Sequence, residues 1–129
     1  MKQSIKIIAV FFVIVSVAFI PPKYKLVGRW IAYERDGSIG AYINFKKNGS
    51  YDIMLPGGQI GEVGSYKLNN STFSIKNIKA VCGKDYWGSY KLTFHGQDSI
   101  SFVLIEDSCV TRREDIVGGN PGLKRSKNK

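Results

Sequence analysis

An all-β fold of eight short antiparallel strands, set behind an N-terminal signal segment, is what this sequence predicts, and three observations predict it. From Lys25 onward apolar and polar residues alternate with a period of two, the alternating runs are rich in aromatic and β-branched residues, and glycine or asparagine interrupts them roughly every eight to twelve positions. No segment reads as an amphipathic helix. Strands of this length and spacing close into an up-and-down barrel or pack as a sandwich.

The chain opens differently. Lys2 and Lys6 precede an uncharged run from Ile7 to Ile20 that contains no turn former, which is the order of a secretory signal. As a helix, those roughly fourteen residues rise about 21 Å, short of the roughly 30 Å of a bilayer's hydrocarbon core. Residues 1–20 are therefore expected to be a signal peptide, with an uncut N-terminal anchor as the alternative. Ser16 and Ala18 supply the small residues of a cleavage site. Either way the domain is secreted, periplasmic or held on the outer face of the cell envelope.

Strands are expected near Leu26 to Glu34, Ile39 to Lys46, Ser50 to Leu55, Gln59 to Lys67, Thr72 to Asn77, Tyr86 to Phe94, Ser99 to Glu106 and Val110 to Ile116. The turns between them are chemically explicit: Asp36-Gly37, Asn48-Gly49, Gly57-Gly58, Asn69-Asn70 and His95-Gly96 all tolerate positive φ, so neighbours should pair antiparallel. A short echo supports this, because Gly64-Ser65-Tyr66-Lys67-Leu68 recurs as Gly88-Ser89-Tyr90-Lys91-Leu92.

Alternation points Trp30, Ile43, Phe45, Tyr51, Ile53, Tyr66, Leu68, Phe73, Ile75, Tyr90, Leu92, Phe94, Ile100, Phe102 and Leu104 inward. Burying each large side chain is worth about 1.5 to 3 kcal/mol, enough in sum to drive folding.

The chain has 2 cysteines, Cys82 and Cys109, so an oxidising compartment allows one pairing. Closing that loop stabilises by about 3.5 kcal/mol through the unfolded ensemble. Net charge is +9, but Lys2, Lys6, Lys124, Arg125, Lys127 and Lys129 lie outside the body, and without those six the balance is +3. The high pI is therefore no evidence for a nucleic-acid surface, and no nucleic-acid partner is expected. Residues 118–129 begin with Gly118-Gly119-Asn120-Pro121-Gly122 and lack apolar periodicity, so a disordered basic tail is expected. Membrane contact is expected only through this tail or the N-terminal segment.

Leu26-Val27-Gly28-Arg29-Trp30, at the start of the first strand, resembles the Gly-x-Trp signature of the lipocalins. Gly64 to Leu68, Cys82, Gly88 to Leu92, and Asp107-Ser108-Cys109 followed by Arg112 and Arg113 are similar to small secreted lipocalin-like domains of bacteria. The resemblance spans about Leu26 to Val117 and implies an eight-stranded up-and-down barrel over residues 24–117. It further implies that Gly28 permits close backbone approach and that Trp30 closes one end, with Arg112 or Arg113 laid across the indole. Unlike the longer lipocalins, this sequence offers no C-terminal helix to pack on the wall.

For function, the expectation is a binding protein rather than an enzyme. The chain has 1 histidine, His95, which sits in a predicted turn with no nucleophile-elbow serine around it. Glu106-Asp107 and Glu114-Asp115 are adjacent pairs, which a strand splits across opposite faces. No metal spacing or phosphate loop is present, and no cofactor is expected. An interior crowded with aromatics leaves the barrel mouth for a small hydrophobic or amphipathic ligand, with Tyr51, Tyr66, Tyr90 and Phe102 as candidate contacts. The alternative is a barrel that binds a protein, such as an inhibitor of an extracellular hydrolase, through its turns.

Overall fold

The alternating runs become the staves of a barrel. The computed structural model describes residues 21–78, 82, 86–119 and 122–127. The expected signal, residues 1–20, lies outside the described residues. A short helix α1 (Pro22–Leu26) leads into β1 (Gly28–Tyr33), β2 (Ile39–Phe45), β3 (Ser50–Met54), β4 (Ile60–Asn69), β5 (Thr72–Asn77), β6 (Gly88–His95) and β7 (Ser99–Glu106). Helix α2 (Val110–Val117) and β8 (Gly122–Arg125) complete the chain. Each strand pairs antiparallel with the next, and β8 pairs with both β7 and β1 to close the barrel.

The predicted interior is the observed one, with a single exception. Trp30, Phe45, Tyr51, Tyr66, Phe73, Tyr90, Leu92 and Ile100 are buried, whereas Leu104 remains 38% exposed near the end of β7. Phe45 meets Tyr66 and Phe73 edge-on, with ring centroids 5.0 and 5.8 Å apart, which fills the half of the barrel nearest the β2–β3 and β4–β5 turns. The Tyr66 hydroxyl donates to the Lys46 carbonyl at 2.5 Å, satisfying the polar end of a buried ring.

The GSYKL echo has a packing reason. Its tyrosines, Tyr66 and Tyr90, both point inward, and its glycines leave room for a neighbour. A Cβ at Gly64 would lie 2.6 Å from the ring of Tyr51, its cross-strand partner, and one at Gly88 would lie 2.2 Å from the Asp107 carboxylate.

Two expectations at the C-terminal end are corrected. Residues 110–116 form helix α2 rather than a strand, with Arg113 N–H donating to the Cys109 carbonyl at 2.9 Å and Gly118 N–H to Glu114 at 2.8 Å. As a strand, Arg112 would share one face with Val110, Glu114 and Ile116. The helical turn instead brings Arg112 and Ile116 onto the face that packs on the barrel.

The domain also extends beyond residue 117. The stretch expected as a disordered tail supplies β8, in which Leu123 opposite Ile100 packs on the core while Lys124 is exposed. Without it, β1 and β7 would both end as open edges.

Trp30 is buried at this end, and the cation over it is neither Arg112 nor Arg113. Arg125 lies over the indole with its guanidinium carbon 4.3 Å from the ring centroid. Leu123 and Arg125 are two apart on β8, so both face inward, and Arg125 is registered directly opposite Trp30. Its guanidinium donates to the carbonyls of Lys25, Val27 and Gln97, tying α1 and the β6–β7 turn together. The Trp30 indole N–H donates to Leu26 at 2.8 Å. Gly28 has a φ of +129°, and a Cβ there would lie 3.1 Å from Arg125, so only glycine fits comfortably at this junction.

Candidate functional site

The opposite end is open. There the barrel holds a cavity of about 550 Å3, floored by Phe45, Tyr51 and Phe102 and walled by Ile43, Ile53, Ile75 and Leu123. Small residues create the space: Ala32 on β1 and Ala41 on β2 are cross-strand partners, and both line the cavity. Tyr33, Glu34 and Leu55 form one side of the mouth, and α2 contributes Glu114, Asp115 and Ile116 to the other. The helix missing from the sequence reading therefore forms part of the rim.

Polar groups below the rim are joined in one network. The Tyr51 hydroxyl donates to Asn77 Oδ1 at 3.0 Å, and the Asn77 amide donates to Glu62, which lines the cavity. Arg112 reaches the same Asn77 oxygen at 3.3 Å while holding both oxygens of Asp107 at 2.7 Å. Tyr90 and the Cys109 N–H also donate to Asp107. Burial alone would raise the Asp107 carboxyl, but these hydrogen bonds and the Arg112 charge hold it below its ordinary value.

The rim carboxyls behave oppositely. Burial raises Glu62, its bond from Asn77 and the nearby Arg112 act against that, and Asp115 raises it further. Asp115 is raised by burial and by its neighbour Glu114. Burial raises the Tyr51 and Tyr90 phenols well above the usual tyrosine range, so both remain neutral hydrogen-bond donors.

Of the four expected ligand contacts, Tyr51 and Phe102 line the cavity, whereas Tyr66 and Tyr90 are packed deeper, their hydroxyls bonded to Lys46 and Asp107. Arg112 is buried under α2 in the network with Asp107 and Asn77, and Arg113 donates to the Asp107 carbonyl. Sequence reasoning missed Glu34, Glu62 and Asp115. Their signal was faint, although Glu62 sits two residues before Gly64 and so shares its inward face.

Cys82 and Cys109 are bridged, with Cα atoms 5.6 Å apart, fixing the β5–β6 connection to the start of α2. His95 Nε2 lies 2.7 Å from Ser101 Oγ on exposed wall, and neither residue lines the cavity. Among the described residues no three His, Cys, Asp or Glu side chains are placed to share a metal ion, and no helix is long and apolar enough to cross a membrane. A second groove, of about 830 Å3 on the outer face along Arg29, Tyr42 and Lys124, is more open to solvent.

The barrel has a counterpart among solved structures. The chain is similar in fold to pallilysin of Treponema pallidum. The two superimpose with a TM-score of 0.50 at 15% identity, over 84% of this chain and 83% of that one. At that identity the likeness concerns the fold alone. No protein-family model matches the chain, and neither does any curated protein.

Proposed function

We propose that this is an extracytoplasmic, lipocalin-like binding protein that takes a small hydrophobic or amphipathic molecule into its open mouth. One observation carries the reading: aromatic side chains fill one end of the barrel, and the other end keeps an apolar-walled cavity of about 550 Å3. That size falls within the roughly 300 to 1,000 Å3 typical of small-molecule sites. The disulfide supports an oxidising location. Binding rather than catalysis fits the one histidine of the chain, which stands outside the cavity. The Trp30–Arg125 closure supports the lipocalin-like type.

Titration of the purified protein with the uncharged fluorophore N-phenyl-1-naphthylamine tests this. A saturable rise in emission that Ala41→Trp abolishes is expected, because Ala41 is where an indole would fill the cavity. A linear, unsaturable response of the folded parent would overturn the reading.

A second reading, docking of a protein partner, is favoured by the exposed apolar side chains Ile78, Tyr86, Val103, Ile105 and Val110. Patches of this kind mark contact surfaces. Capture of one extracellular enzyme by a protein that binds no fluorophore would support it over the first.

A further inference from the structure

The mouth cavity has a charge unlike that of the rest of the protein. The chain carries 19 lysines and arginines against 10 acidic residues, yet Glu34, Glu62, Glu114 and Asp115 line this cavity and no lysine or arginine does. None of the four takes part in an ion pair among the described residues. Arg112 lies within electrostatic reach of Glu62, but its guanidinium is committed to Asp107.

The cavity itself makes the site; the carboxylates decide what it prefers. Its walls, including Ile43, Ile53 and Leu123, suit an apolar body. An anionic headgroup brought to this rim would add like charge to carboxylates that already repel one another, and a neutral one would leave them uncompensated. No three of the acids converge on one point as a metal requires, so the complementary charge is an organic one.

Resting on the ligand-binding reading above, we propose that the cavity selects a cationic amphiphile: an aliphatic or aromatic body carrying an ammonium group. The body lies between the apolar walls, and the ammonium sits at the mouth in the field of Glu34, Glu62, Glu114 and Asp115. An ammonium there relieves the repulsion between Glu62 and Asp115.

The test uses three probes with the same chain, n-dodecylamine, 1-dodecanol and dodecanoate, each displacing N-phenyl-1-naphthylamine from the full-length protein at pH 7 and low salt. The amine should displace the fluorophore at about a tenfold lower concentration than the alcohol, and dodecanoate should be the weakest. The exposed-rim double variant Glu34→Gln/Glu114→Gln should bring the amine several-fold closer to the alcohol, the amine losing more affinity than the alcohol does. Glu62→Gln, which keeps an acceptor for Asn77, should do the same.

Equal displacement by all three probes, or preference for dodecanoate, would overturn the charge inference while leaving the cavity's function standing. Absence of any saturable fluorophore binding would sink the ligand-binding reading and this inference with it.

Discussion

The carboxylate of Asp107 occupies the space that a side chain at Gly88 would take: a Cβ built there falls 2.2 Å from Asp107 Oδ2 and 3.1 Å from Arg112 Nη2. Gly88 is therefore the opening through which a buried ion pair reaches the barrel wall. Gly88→Ala should destabilise the protein by about 2 to 4 kcal/mol, through overpacking and disturbance of the pair. Gly57→Ala, where φ is ordinary and no atom lies within 4 Å of the new Cβ, should change stability by less than about 0.5 kcal/mol. Equal urea midpoints for the two variants would show that the pair tolerates displacement.

The pair itself carries more. Arg112→Met leaves the Asp107 carboxylate buried without its cation and should cost about 3 to 5 kcal/mol. Asp107→Asn/Arg112→Met, which removes both charges, should recover part of that loss in equilibrium denaturation.

Stability should depend on pH in two opposite ways. Asp107 is held below its ordinary value in the folded state, so its contribution is present above about pH 4 and is lost as pH falls through the lower folded value. Glu62 and Asp115 are raised, so the destabilisation they cause at neutral pH is relieved as pH falls toward about 4.5. Urea midpoints should thus rise shallowly from neutral to mildly acidic pH and then drop steeply. Glu62→Gln should flatten the rise and leave the drop. A drop that survived in Asp107→Asn would assign the acid transition to other groups.

Arg125 should matter where Arg113 does not. Arg125→Ala removes the cation over Trp30 and three carbonyl contacts, for a loss of about 1 to 3 kcal/mol. Trp30 emission should shift to the red, read in a Trp87→Phe background. Arg113→Ala should leave the spectrum unchanged.

Truncation after Val117 removes β8 and opens the barrel between β1 and β7. The shortened chain should lose its cooperative thermal transition by circular dichroism. Retention of a sharp transition near the parent's midpoint would mean that β8 contributes little to closure.

The sequence made some of this legible and hid the rest for definite reasons. Seven strands were readable because β1 to β7 are long enough for alternation to register, and because the turns at Gly37, Gly49, Gly58 and Gly96 adopt positive φ where glycine signals it. β8 has four residues and one inward apolar side chain, Leu123, so it carries no period. Val110 to Val117 mixes valines with Arg112-Arg113-Glu114-Asp115, a composition that alternation and helical spacing describe equally poorly. Tyr51 and Phe102 were found at the cavity because inward aromatics were counted. Glu62 was missed because an acidic residue on an inward strand position is ordinarily read as solvent-facing.

What the sequence determined by itself was local: strand positions, turns, the identity of the inward side chains and the one available cysteine pairing. Which segment closed the barrel, which arginine covered Trp30 and which carboxylates gathered at the mouth were decided by tertiary structure. These choices depend on partners roughly a hundred positions apart, as Arg125 is from Val27 and Lys25. A short strand gains its stability only when two edges are already waiting for it, and that condition is written in no single stretch of the chain.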